Sequence, residues 1–165
     1  MTQADLIADL YQEHRQALYS LALALLKDPA LAEDAVHDGI QSMLSRNREL
    51  EGDPTAYLFV VVRNAALDLA RRRKVRLAQQ AHDNLFDSRQ PDPLLRASDA
   101  DAARRLREAI NELSPEQQEV IILRALGRLG FEQIASVVGA PFGTVAARYS
   151  RAVAALRREL QEVSS

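Results

Sequence analysis

The 165-residue sequence contains no cysteine and no tryptophan, and only four Phe and four Tyr. Without cysteine there is no disulfide, thiolate zinc site, iron–sulfur cluster or cysteine nucleophile. Scarce aromatics beside abundant Leu and Ala favour helix over sheet. The longest apolar run, Leu21 to Leu26, is far too short to cross a bilayer. The polar, acidic start (Thr2, Gln3, Asp5) lacks the basic flank of a secretory signal. No Ser-His-Asp grouping, phosphate loop or supported carboxylate pair is present, so neither an enzymatic activity nor a cofactor is expected. What is there is ordinary for a globular chain, 47% hydrophobic and 27% charged. A soluble, cytoplasmic protein without membrane insertion is expected.

The net charge of −2 conceals an alternation. Residues 1–55 carry a net of −6, residues 56–78 +5, residues 79–119 −4 and residues 120–165 +3. Two basic segments separated by an acidic stretch suggest two contacts with a polyanion. Ordinary fluctuation of charge along helical surfaces is the less favoured alternative.

Helix signals fill most of the chain. Leu6, Leu10, Ala17, Leu21 and Leu25 recur at helical spacing across Gln3–Lys27. Asp28-Pro29 supplies an N-cap and a proline at the first helical position, opening a second helix to about Ser45. Asp53-Pro54 repeats the device for a third helix to about Lys74, with Leu58, Val62, Ala65 and Leu69 as its apolar stripe. From about Leu77 to Ala97 periodicity fades through Gln79-Gln80, Asp83-Asn84 and Pro91-Asp92-Pro93, the composition of a flexible linker. The expected division is therefore residues 1–76, a linker over 77–97, and residues 98–165. Ser114-Pro115-Glu116-Gln117 caps a further helix, and Phe131–Val138 and Phe142–Leu160 follow, separated by Gly139-Ala140-Pro141. The fold class is all-α, two small helical domains.

The last two helices read as a helix-turn-helix. Ile134, Ala135 and Val138 share one face, Ala135 permits a close crossing, and Gly139 permits a sharp turn. Val145, Tyr149, Ala152 and Leu156 form a core stripe, leaving Thr144, Arg148, Arg151 and Arg158 together on the opposite side. A short helix, a tight turn and a longer basic helix is the arrangement that enters a DNA major groove. An αα-hairpin with surface arginines has the same outline. On the third helix, Tyr57, Asn64, Asp68 and Arg71 make a second, polar stripe. Arg71-Arg72-Arg73-Lys74-Val75-Arg76 exceeds what a helix C-terminus needs to balance its dipole and suits phosphate contact. Asn64 offers a donor and an acceptor to a base edge, and Tyr57 a stacking surface. Glu33 and His37, spaced i, i+4, with His14 as a third ligand, would be a minimal metal set, but such residues on amphipathic helices are ordinarily surface, and no metal is expected.

Taken together, these segments resemble an extracytoplasmic-function (ECF) sigma factor of bacterial RNA polymerase. Asp28 to Ile40, DPALAEDAVHDGI, resembles the acidic helix that docks on core polymerase. By that resemblance Glu33, Asp34, His37, Asp38 and Gln41 are the polymerase-binding residues. Pro54-x-x-Tyr57-Leu58 followed by Arg63-Asn64-x-x-Leu67-Asp68-x-x-Arg71-Arg72 resembles the helix reading the −10 promoter element. It implies Tyr57, Asn64, Asp68, Arg71, Arg72, Arg73 and Lys74 as its contacts. Leu113-Ser114-Pro115-Glu116-Gln117-Gln118 through Gly143-Thr144-Val145 and Arg148 resembles the domain reading the −35 element. It implies Thr144, Arg148 and Arg151 as contacts. The implied partners are core RNA polymerase, promoter DNA and an anti-sigma factor. Four places depart from the family pattern: Tyr57 stands for Trp, His37 for Gln, Gly39-Ile40 for an acidic-aromatic pair, and Ala146-Ala147 for a basic residue and Ser. The competing reading is a stand-alone helix-turn-helix regulator whose N-terminal helices dimerise or sense a ligand.

Overall fold

A computed structural model describes residues 2–46, 49–79 and 100–163. The chain forms two compact units, residues 1–90 and 91–165, described separately below. Among the described residues there are seven α-helices and no strand, and no helix is long and apolar enough to cross a membrane.

In the first unit α1 (Gln3–Leu26), α2 (Pro29–Ser45) and α3 (Pro54–Gln79) pack pairwise against one another. Their starts follow the cap signals. Thr2 and Asp5 form a reciprocal capping box, Asp28 accepts from the Ala30 and Leu31 amides at 2.9 and 3.2 Å, and Asp53 from Thr55 at 3.0 Å. Between α1 and α2 the chain turns at Lys27, whose φ of 58° lies in the left-handed region. Burial pushes the Lys27 ammonium pKa below its ordinary value.

The core of this unit is Ile7, Leu18 and Leu21 from α1, Ala35 and Met43 from α2, and Leu58, Phe59, Val62 and Ala66 from α3. Two stripes are rotated from expectation. On α1, Leu6 and Leu25 are only half-buried while Ile7, Leu18 and Leu26 are enclosed. On α3, Ala65 and Leu69 are half-buried while Phe59 and Ala66 are enclosed. Both helices touch two neighbours, so each buries a wider arc than one stripe. Helix α3 also runs five residues beyond Lys74, through Leu77–Gln79 of the expected linker. Nothing in the basic run breaks a helix, and no Gly or Pro occurs between Pro54 and Pro91. The rest of the expected linker, residues 80–97, and the expected helix start at Ser98 lie outside the described residues.

The second unit contains α4 (Ala100–Asn111), α5 (Pro115–Ile121), α6 (Phe131–Val138) and α7 (Phe142–Val163), with α7 touching each of the other three. Ser114 and Gln117 cap α5 reciprocally, each bond 3.3 Å. Buried Gln118 donates to the carbonyls of Leu113 at 3.0 Å and Asn111 at 3.4 Å, tying the end of α4 to α5. After Ile121 the helix widens into a π turn over Ile122–Leu126, and Gly127 donates to Ile122. Gly139 ends α6 at φ 69° with open space where a Cβ would stand, so its conformation, not crowding, calls for glycine. On α6 the enclosed residues are Ile134 and Val137, with Ala135 and Val138 half-buried, again a shift from the expected face. Val145 and Ala152 are enclosed on α7, and Tyr149 and Leu156 pack partly buried beside Leu113 and Ile121.

Candidate functional site

Three surfaces carry the residues singled out above. On α2, Glu33, Asp34, His37, Asp38 and Gln41 are all exposed. At 100° per residue they span about 140° of the helix, diametrically opposite the buried Ala32, Ala35, Gly39 and Met43. Three residues beyond Gln41 the same face presents Leu44, 50% exposed. It borders a shallow depression lined by Asp38, Gln41, Ser42 and Ser45. Sequence reasoning passed over Leu44 because an apolar residue near a helix end is indistinguishable from core until burial is known. The arrangement is an apolar side chain within an acidic and polar rim.

Helix α3 turns Tyr57, Asn64, Asp68 and Arg71 away from its buried side, within about 60° of one another. Asn64 and Arg71 are exposed; Tyr57 and Asp68 are half-buried. Arg46, which follows α2, lies with its guanidinium carbon 5.4 Å from the centre of the Tyr57 ring. The Tyr57 hydroxyl is buried without a hydrogen-bond partner among the described residues. The aromatic surface expected for stacking is thus already shared with a cation, which no local pattern announced.

The basic run is not uniform. Arg72 pairs with Asp68 at 2.7 Å, an i, i+4 bridge along the helix. Arg73 reaches across the bundle, its Nη1 donating to the Leu26 carbonyl at 2.8 Å. It thereby satisfies a terminal carbonyl of α1. Arg71, Lys74 and Arg76 are exposed. Of the seven expected −10 contacts, Arg73 has a structural partner in another helix and Arg72 a counter-charge. Asn64, Arg71 and Lys74 face solvent.

On α7 Thr144 and Arg151 are exposed and Arg148 is half-buried. They share one stripe with Arg158, but it lies about 110° from the centre of the core stripe, on its flank and not on the opposite side as expected. The reason is that Thr144, Arg148 and Arg151 each directly precede a core residue in the chain, about 100° away around the helix. At the first position of α7 stands Phe142, 52% exposed. Its ring meets Phe131 edge-on with centroids 5.8 Å apart, and Phe131 meets Tyr149 at 5.4 Å. Arg124 closes this row, 4.9 Å above Phe131 and donating to the Leu129 carbonyl at 2.9 Å. Phe142 and Arg124 were not among the expected site residues. Their roles depend on which way a ring faces at a helix start.

Among the described residues no group of three His, Asp or Glu side chains is placed to hold a metal ion. His14 packs edge-on to Phe59, centroids 5.5 Å apart, and is half-buried.

Each unit matches a known family model. Residues 10–76 match the family model of Sigma-70 region 2 and residues 103–156 that of Sigma-70 region 4. The chain is 34% identical over 167 residues to the ECF RNA polymerase sigma factor SigL of Mycobacterium tuberculosis, covering 98% of this chain and 92% of that one. It is 28% identical over 162 residues to the RNA polymerase sigma factor SigV of Bacillus subtilis, covering 96% and 93% respectively. Among solved structures, the sigma factor RpoE of Bartonella quintana, in complex with the anti-sigma factor NepR, matches with a TM-score of 0.76 and 26% identity. That match covers 95% of this chain and 97% of that one. CnrH, in complex with the cytosolic domain of CnrY, shares the fold with a TM-score of 0.62 at 21% identity, covering 96% and 89%.

Proposed function

Because the chain belongs to the ECF sigma factors, we propose that its three surfaces divide the work of transcription initiation among them. The protein is an initiation factor that binds core RNA polymerase and directs it to promoter DNA. In our reading the acidic face of α2, with Leu44 at its end, meets the polymerase. Asn64 and the exposed cations of α3 contact the −10 element and help open it, and Thr144, Arg148 and Arg151 on α7 contact the −35 element. The units that do this are residues 1–76, extended by the helical residues to Gln79, and residues 98–165, joined by the stretch between. The protein itself catalyses no reaction and works in the cytoplasm, where polymerase and chromosome are.

The observation that carries this reading is the placement within one three-helix unit of an acidic face on α2 and a polar, cationic face on α3. Opposite charges on separate faces suit a bridge between a protein and a polyanion. An anti-sigma factor, of the kind bound to RpoE in its solved complex, is proposed as a further partner that covers one or both faces. A stand-alone regulator is not favoured, since its N-terminal helices would have no need of region 2.

Transcription reconstituted with core polymerase on a promoter library tests the proposal. Transcripts should arise only when the protein is added, from promoters sharing two spaced motifs. Tight binding of the protein alone to a dyad-symmetric operator, with no effect on polymerase, would favour the regulator instead.

A further inference from the structure

Helix α7 has an unusual first two turns for a DNA-reading helix. Between Glu132 and Glu159 the sequence holds four arginines and no acidic residue, so this stretch suits an anionic occupant. Yet all four arginines lie at position 148 or beyond, leaving the start of α7, the part that meets base edges in a helix-turn-helix, without a charged donor. In their place stand Phe142, Thr144, Ala146 and Ala147.

Two features fit Phe142 for contact rather than for core. Its ring is half exposed and braced edge-on by Phe131, which Tyr149 and Arg124 hold in turn. A braced aromatic loses little conformational freedom on binding. One turn further along the same face comes Ala146. Helical side chains lean toward the N-terminus, so a long residue at 146 would lie back over the residue four before it. Alanine leaves the ring open. Bases offer one apolar group to the major groove, the thymine 5-methyl, and Phe, Ala and the Thr methyl are the side chains that meet it.

We propose that Phe142 is a specificity-determining residue of the −35 contact, reading the 5-methyl group of a thymine. This rests on the assignment of α7 to the −35 element. In it, Arg148 and Arg151 hold phosphates from the flank they share with Thr144. Sequence preference comes from apolar contact by Phe142, about 160° around the helix from that stripe at its N-terminal end.

Replacing single thymines by deoxyuridine in a selected promoter removes the methyl and keeps every hydrogen-bonding group. Holoenzyme binding should fall about fourfold at one −35 position, the factor expected for burying one methyl. The thymine-to-uracil ratio should decrease from wild type through Phe142→Leu to Phe142→Ala, where it approaches one. Circular dichroism and core binding of the variants should match wild type. Phe142→Leu keeps the row apolar and provides the graded comparison even where Phe142→Ala loosens the unit. If the wild-type holoenzyme prefers particular −35 bases but ignores every uracil replacement, or if Phe142→Ala still distinguishes the two, the proposal is overturned and the assignment of α7 stands. If upstream sequence has no influence on binding at all, the assignment of α7 fails and the proposal fails with it.

Discussion

Gly39 on α2 lies so close to Val62 on α3 that a Cβ added to the glycine would stand 2.8 Å from Val62 Cγ2 and 3.1 Å from its Cα. The departure from the family pattern at position 39 therefore has a local cause: the two helices cross with almost nothing between them. Alanine ordinarily gains about 1 kcal/mol over glycine within a helix. Here the neighbour is backbone as well as side chain and cannot swing aside. Gly39→Ala should lower stability by about 1–3 kcal/mol, the usual scale of overpacking. Adding Val62→Ala should recover little, since the Val62 Cα and N contacts remain and a cavity is added. Denaturant melts of the single and double variants check both expectations.

Charge reversal tests the α2 face. Asp34→Lys with Asp38→Lys replaces two exposed carboxylates opposite the buried side, so folding should be unaffected. Core-polymerase capture should fall by at least tenfold and become less sensitive to salt. Undiminished capture with an unchanged helical signal would remove this face from the docking assignment.

Individual cations of the α3 run should behave differently. Replacing exposed Arg71 or Lys74 by Ala should weaken all promoters alike and reduce the salt slope of DNA binding by about one each. Arg73→Ala should barely change that slope but lower stability by about 1–2 kcal/mol, because the Leu26 carbonyl loses a charged donor. Filter binding across a salt series, beside thermal melts, separates the two classes.

Asn64, exposed on the polar stripe, is assigned to an extruded −10 base held by its Watson–Crick edge. Asn64→Ala should impair promoter opening and relax preference at one −10 position, with less effect on initial binding. Permanganate footprinting on single-base −10 variants reads this directly. Opening of every variant at the wild-type level would mark Asn64 as ordinary surface.

The start of α1 gives a pH dependence. Hydrogen bonds from the Thr2 backbone N–H and then its hydroxyl hold the Asp5 carboxyl below its usual range. A depressed carboxylate contributes stability above its unfolded pKa of about 3.9 and loses it as pH falls through the folded value. Between pH 6 and pH 2.5 the wild-type melting temperature should therefore fall more than that of Asp5→Asn. Parallel curves would contradict it.

Cap signals made three of the seven described helix starts legible in the sequence, because Asp28-Pro29, Asp53-Pro54 and Ser114-Pro115 act within four residues. The end of α3 was not legible. A run of arginines offers no breaker, and periodicity fades before the helix itself ends at Gln79. Burial faces were legible to within one residue. Val137 in place of Val138, and Phe59 beside Leu58, depend on where the neighbouring helices lie. Candidate site positions on α2 and α3 came from the family resemblance, whereas the Arg73–Leu26 bond joins residues 47 apart and the Arg46–Tyr57 contact joins the end of α2 to α3. Such pairings are properties of the bundle and leave no periodic trace.

The unbroken course of α3 past Lys74 makes it a ruler. At 1.5 Å per residue, Arg71 sits about 10 Å and Arg76 about 18 Å along the axis from Asn64. Measured against duplex spacing of about 3.4 Å per strand phosphate, that is roughly three to five nucleotides. Under the proposed assignment, with α3 lying along the DNA, a base held at Asn64 and phosphates held at the helix end would be locked to a fixed offset. The offset is set by residue count alone and is indifferent to how the stretch after Gln79 is arranged.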